Sequence, residues 1–104
     1  MENRHRKITG YREHTKEEID LMNRIKAIGA EFENLIDAVD EHLREQLADA
    51  FTLQSNRNDG GIEGTEEVNR INAAEPRRWK AKAKASVQDG LMFLTRAVAQ
   101  TTSF

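Results

Sequence analysis

Three histidines, eighteen carboxylates and a basic run around one tryptophan are the groups in this sequence whose types could do chemistry. Zinc ligands on a helix need convergent spacing, roughly three to five residues apart. His5, His14 and His42 lack it, and His42 is followed by Leu-Arg-Glu-Gln. The absence of cysteine removes thiolate nucleophiles, thiolate metal sites and disulfides, and fits a reducing cytosol. Asp59-Gly60-Gly61 lacks the preceding strand and the Lys-Ser/Thr that would make it a phosphate loop. Glu31, Glu33, Asp37, Asp40, Glu41 and Glu45 read as a solvated helix face with partners one turn away. No catalytic constellation emerges, and neither a metal nor a cofactor is expected.

Binding chemistry is better represented. Arg77-Arg78-Trp79-Lys80-Ala81-Lys82-Ala83-Lys84 puts five cations into the first turns of a helix, against a macrodipole that favours anions there. One reading is an anionic partner, since helix N-termini hold phosphates. The other is structural. In an antiparallel hairpin the run lies beside the end of a long helix, where Glu41, Glu45 and Asp49 oppose their own dipole. Pairing the two ends relieves both, at ~0–1 kcal/mol per surface pair. Most of the run is assigned to pairing, with Arg77 and Arg78 the exceptions left for a ligand. Trp79 is assigned to the core.

Tyr11 is the single tyrosine and stands among Arg6, Lys7, Arg12 and His14. A ring in that setting can stack a base while cations such as Arg12 meet phosphates. It can equally be a packed tyrosine that staples the helix start. Lys26, between Met22 and Phe32, borders the apolar seam, a position from which lysine ordinarily snorkels to water.

The elements that must position these residues follow from periodicity. Residues 1–14 read as a basic arm. Thr15-Lys16-Glu17-Glu18 is a capping box. Ile19, Met22, Ile25, Ile28, Phe32, Leu35, Val39, Leu43 and Leu47 then recur every three or four residues, one stripe of a helix from about Lys16 to about Ala50. The stretch 52–64, rich in Asn, Asp and Gly, is expected to be a flexible loop. Thr65-Glu66-Glu67 opens a short helix that ends near Ala74, before Pro76, which starts the last helix. That helix, to about Gln100, carries one stripe of Trp79, Ala83, Val87, Leu91, Leu94 and Val98, and a second of Met92, Phe93 and Ala97. Two stripes require two partners, one of them another chain or the terminal segments.

The expected fold is therefore all-α, an antiparallel helical hairpin with a short extra helix and an N-terminal arm, assembling into an oligomer. The 104 residues make a single domain, 1–104, with a modest core. No apolar run approaches the roughly 20 residues of a membrane span, and the opening residues lack the apolar segment of a signal peptide. Charge is segregated: residues 1–16 hold five Lys/Arg and two acidic residues, 76–104 hold six and one, and 17–75 hold five and fifteen.

Four stretches taken together resemble a known family. They are Thr9-Gly10-Tyr11-Arg12; Ile19-Asp20-Leu21-Met22-Asn23-Arg24-Ile25-Lys26; Glu75-Pro76-Arg77-Arg78-Trp79; and Val87 to Gln100, with Phe104 beyond. The set is similar to the bacteriophage sponge proteins that block CBASS immunity by sequestering cyclic oligonucleotides. A related helical hairpin occurs in the phage sponges that counter Thoeris signalling. The likeness covers both ends of the chain and leaves out about 27–74.

The resemblance implies a hexamer of helical-hairpin dimers in the host bacterial cytoplasm. It implies that cyclic dinucleotides such as 3′,3′-cyclic GMP–AMP are held intact at protomer interfaces, with cyclic trinucleotides in separate pockets. By the same resemblance Tyr11 matches the base-stacking tyrosine, Lys26 the phosphate-contacting lysine, and Arg77 a residue of the trinucleotide pocket. Such tails commonly read Gln-Pro, whereas Gln100 here precedes Thr101.

A competing reading is a helical interaction module, an adaptor or inhibitor of a host protein. A polynucleotide binder is the third, and neither polynucleotide nor membrane is the expected partner. Polynucleotide affinity would fall steeply with salt, and a buried small-ligand site would respond less.

Overall fold

The computed structural model describes residues 13–56 and 58–100. Among them there are three helices and no strand: α1 (Lys16–Gln54), α2 (Ile62–Ala74) and α3 (Pro76–Ala99). The chain divides into two compact units, and α1 and α3 each supply part of both. Unit 1 contains α1 to Phe32 and α3 from Ala85, and unit 2 is Glu33–Lys84.

The start of α1 is the predicted capping box. The Thr15 hydroxyl accepts from the Glu18 amide at 3.2 Å, and Glu18 Oε1 accepts from the Thr15 amide at 2.8 Å. Two donors that a helix start leaves unpaired are thereby satisfied. The helix runs on for 39 residues, to Gln54, beyond the predicted Ala50. At its polar end the hydroxyls of Thr52 and, just past the helix, Ser55 each donate to the carbonyl four residues back, both at 3.1 Å.

The connection is shorter than the expected loop 52–64, whose two flanks are helical. Asp59, not Thr65, organises the start of α2. Its carboxylate accepts from the Gly61 amide at 2.8 Å and the Glu63 amide at 3.3 Å. Gly60 and Gly61 have φ of 68° and 80°, which glycine adopts without strain. Thr65 lies inside α2 and accepts from Gln54 Nε2 at 3.2 Å. Gly64 brings α2 against the end of α1: a Cβ there would stand 1.9 Å from the Gln54 amide nitrogen. The α2 end falls at Ala74 as predicted, with Glu75 left-handed at φ 49° and its amide donating to the Ile71 and Asn72 carbonyls.

Unit 2 is built on Ile36, Leu43 and Ala50 of α1, seven residues apart and buried, with Ile71 of α2. Seven-residue spacing keeps one face of a helix on a partner. The predicted stripe chose Leu35 and Val39, but Leu35 is 58% exposed while Ile36 is 6%. The two side chains are adjacent in sequence and roughly 100° apart around the helix, so periodicity admits either and packing selects one. In unit 1, Ile25 is buried and Gly29 lets Leu91 of α3 approach to 3.2 Å from where a Cβ would sit.

The inward face of α3 follows the prediction at Val87, Leu91 and Val98, which are half-buried in unit 1. Elsewhere it departs from it: Lys80 and Lys84 in unit 2 and Thr95 in unit 1 are half-buried, where Trp79, Ala83 and Leu94 were expected. Trp79 is not core: it is 55% exposed, and Leu94 is exposed as well.

Candidate ligand-binding site

In unit 2 the basic start of α3 meets acidic residues of α1, as the charge pattern requires, but on a different face. The partners are Asp40, which accepts from Lys80 Nζ, and Glu33, 3.8 Å from Lys84 Nζ. Glu41, one of the expected partners, pairs instead with Arg44 along its own helix at 2.7 Å. The hydrogen bond from Lys80, above all, holds the Asp40 carboxyl below its usual pKa, against the opposing effect of desolvation. The charges of Lys80, Arg44 and Arg77 act in the same direction as that bond.

Arg77 and Arg78 differ from the lysines that follow. Together with Leu43, Leu47, Ile71, Asn72, Glu75 and Pro76 they line a cavity of about 320 Å³ within unit 2. Its lining thus combines apolar side chains with two guanidinium groups and one carboxylate. Arg78 is tied down locally. Its Nη1 lies 3.3 Å from Glu75 Oε2, and its guanidinium carbon is 5.3 Å from the centre of the Trp79 ring. Trp79 Nε1 in turn donates to the Ala74 carbonyl at 3.1 Å, which fixes the ring at the surface where α2 gives way to α3. Arg77 is exposed, and only its charge reaches Asp40. A planar guanidinium so placed suits a phosphate or carboxylate arriving from solvent. Glu75 begins this arrangement by leaving the helix, and Pro76 sets the direction of α3.

Lys26 lies in unit 1, exposed and next to buried Ile25. Near it in sequence, Leu21, Arg24, Ile25 and Ile28 form one wall of an apolar groove of about 290 Å³, with Leu94 and Val98 as the other. Arg24 in that wall escaped the sequence reading, since one cation beside a seam looks like solvation. Tyr11 and Arg12 lie outside the described residues. His14 is described, however. Its Nδ1 is buried, 3.9 Å from Glu18 Oε1, and finds no hydrogen-bond partner among the described residues.

Lys26 and Arg77 thus belong to separate units, each with its own cavity. Among the described residues no group of three or more His, Asp or Glu side chains could hold a metal, and no helix is long and apolar enough to cross a membrane. In each unit an arginine thus lies in a lining that is otherwise largely apolar: Arg77 and Arg78 in unit 2, and Arg24 in unit 1.

Comparison with known proteins bears on the family to which the chain belongs. The family model of the Acb2/Tad1 hairpin domain matches residues 4–99. Anti-CBASS protein 2 of Pseudomonas phage JBD67 is 45% identical over 106 residues, covering 96% of this chain and 96% of that protein.

Proposed function

The chain belongs to the Acb2/Tad1 hairpin family, and on that premise we propose that it blocks CBASS antiphage signalling by sequestering cyclic nucleotides without degrading them. The observation that carries the reading is the 45% identity to an anti-CBASS protein across nearly the whole of both chains. Tyr11 stacks a base of a cyclic dinucleotide, while Lys26 and Arg12 meet its phosphates. A cyclic dinucleotide has two bases and two phosphates, so a two-fold interface that presents the same residues twice matches its symmetry. Arg77 serves a separate site for cyclic trinucleotides, at the rim of the cavity in unit 2.

Such interfaces need an oligomer, here a hexamer acting in the host cytoplasm. Support comes from the apolar residues left uncovered. Leu21, Ile28 and Leu35 recur every seven residues on α1, and Met92, Phe93 and Leu94 stand out on α3, all of them exposed. Exposed apolar residues in such concentration mark association surfaces.

Calorimetric titration with 3′,3′-cyclic GMP–AMP, followed by denaturation and chromatography of the released ligand, tests the function. Heat of binding and intact cyclic nucleotide are expected. No heat with any cyclic di- or trinucleotide would remove the sponge reading, and linear product would show an enzyme.

A further inference from the structure

Arg77 and Arg78 are neighbours in sequence and line one cavity, yet their guanidinium groups are held differently. Arg78 Nη1 lies 3.3 Å from Glu75 Oε2, so a carboxylate already answers its charge. Its guanidinium carbon also stands over the Trp79 ring, 5.3 Å from the centre. The ring is itself fixed, because Trp79 Nε1 donates to the Ala74 carbonyl at 3.1 Å. Held by both neighbours, the Arg78 side chain is still 57% exposed. Arg77 is exposed too, but among the described residues it forms no ion pair and reaches Asp40 by charge alone.

We propose that the two arginines divide a cyclic trinucleotide between them: Arg77 meets a phosphate, and Arg78, backed by Trp79, stacks one base inside the cavity. The inference rests on the reading of Arg77 as a trinucleotide residue and extends it to recognition of the base.

Charge decides against a second phosphate on Arg78. Glu75 offsets the charge of that guanidinium and would itself repel an anion placed beside it. A flat, neutral group avoids the repulsion and still gains from the guanidinium plane, on which bases stack. The rest of the lining suits a base as well. Leu43, Leu47, Ile71 and Pro76 are apolar, and Asn72 offers an amide to a base edge. Size sets how much of the ligand enters. The cavity, about 320 Å³, is at the small end of ligand pockets, which run from roughly 300 to 1,000 Å³. It has room for one base and not for the whole trinucleotide. A guanidinium already held by Glu75 and Trp79 also has less freedom left to lose on binding.

Two measurements test the proposal. Nuclear Overhauser spectroscopy uses the full chain, with labelled Ile and Leu methyl groups, and cyclic tri-AMP. Cross-peaks are expected from the adenine H2 or H8 protons to the methyls of Leu43, Leu47 and Ile71. Calorimetry with the same ligand compares the wild type with Arg78→Lys, which keeps the charge and loses the plane. That variant should bind about 2–30-fold more weakly. Trp79→Leu should also weaken binding, while Trp79→Phe, which keeps an aromatic surface for Arg78, should retain most of it. In the double variant of Arg78→Lys and Trp79→Leu the losses should be less than additive, because Trp79 acts through Arg78. Strict additivity would overturn that role. Heat of binding without the cross-peaks would overturn the base site and leave the Arg77 reading in place, the pattern expected of a phosphate on Arg78. Wild-type affinity in Arg78→Lys would overturn the base site too. No heat at all would remove the trinucleotide reading, and this inference with it.

Discussion

Lys80 of α3 donates to the Asp40 carboxylate of α1, forty residues away in the sequence, and so ties the basic start of one helix to the acidic middle of another. The pair explains why five cations are tolerated at a helix start whose dipole disfavours them. Two of them, Lys80 and Lys84, are matched across unit 2 by Asp40 and Glu33.

A pH dependence follows. The folded-state pKa of Asp40 is lowered, first by the Lys80 hydrogen bond. A depressed carboxyl stabilises the fold at pH above its unfolded value of about 3.9 and loses that contribution as pH falls through the folded value. Lys80→Ala should therefore melt below the wild type near neutral pH, and the gap should close in acid. Thermal melts from about pH 7 down to about pH 2 measure it, and a gap unchanged in acid would mean the pair is not its source.

Gly64 should tolerate no side chain. Helix propensity alone favours Ala over Gly by ~1 kcal/mol, but a Cβ would overlap the Gln54 backbone. Overpacking typically costs about 1–3 kcal/mol, and here the overlap is with backbone that cannot turn aside, so sterics decide and Gly64→Ala is destabilising. Gly60→Ala has open space and meets only its positive φ, a cost of ~1–2 kcal/mol. Urea titration of the two variants should rank them in that order.

Ile36 and Leu35 should separate folding from association. Ile36→Ala removes a buried side chain and should lower stability by about 2–5 kcal/mol. Leu35→Ala removes an exposed one and should change the folding of the chain by less than ~1 kcal/mol, while weakening self-association. Denaturant titration at low protein concentration, paired with sedimentation velocity, distinguishes the effects.

The helix start offers a smaller test. Thr15→Ala should cost ~1 kcal/mol through the lost cap, and Thr15→Ser should retain most of it. Circular dichroism melts suffice to compare them.

Ligand variants should split by site. Tyr11→Ala and Lys26→Ala should each abolish binding of cyclic dinucleotide while the oligomer persists. Arg77→Ala should spare dinucleotides and weaken trinucleotides by roughly 10–100-fold, the scale of one charge-assisted hydrogen bond. Calorimetry on the purified variants, with sedimentation as the control, reads both. The opposite pattern for Arg77 would refute its assignment.

What local chemistry dictates was legible in the sequence by itself. The Thr15 capping box, the end of α2 before Pro76 and the all-helical class each depend on residues within one turn of each other, so composition and spacing determine them. Which face of each helix is buried was decided by tertiary structure. Leu35 and Ile36 are equally apolar neighbours, and only packing within unit 2 buries Ile36. The same applies to Trp79: its size suggested the core, but its indole N–H found the Ala74 carbonyl at the surface instead. The acidic partners of Lys80 and Lys84 depended on the alignment of two helices, and no spacing within either one encodes that. Asp59 was overlooked as the organiser of α2 because its two amide bonds exist only once the glycine turn is formed. The family was readable from short motifs at both ends of the chain. The cavity beside Arg77 and the groove beside Arg24 were not, because each is a surface shared by helices distant in sequence.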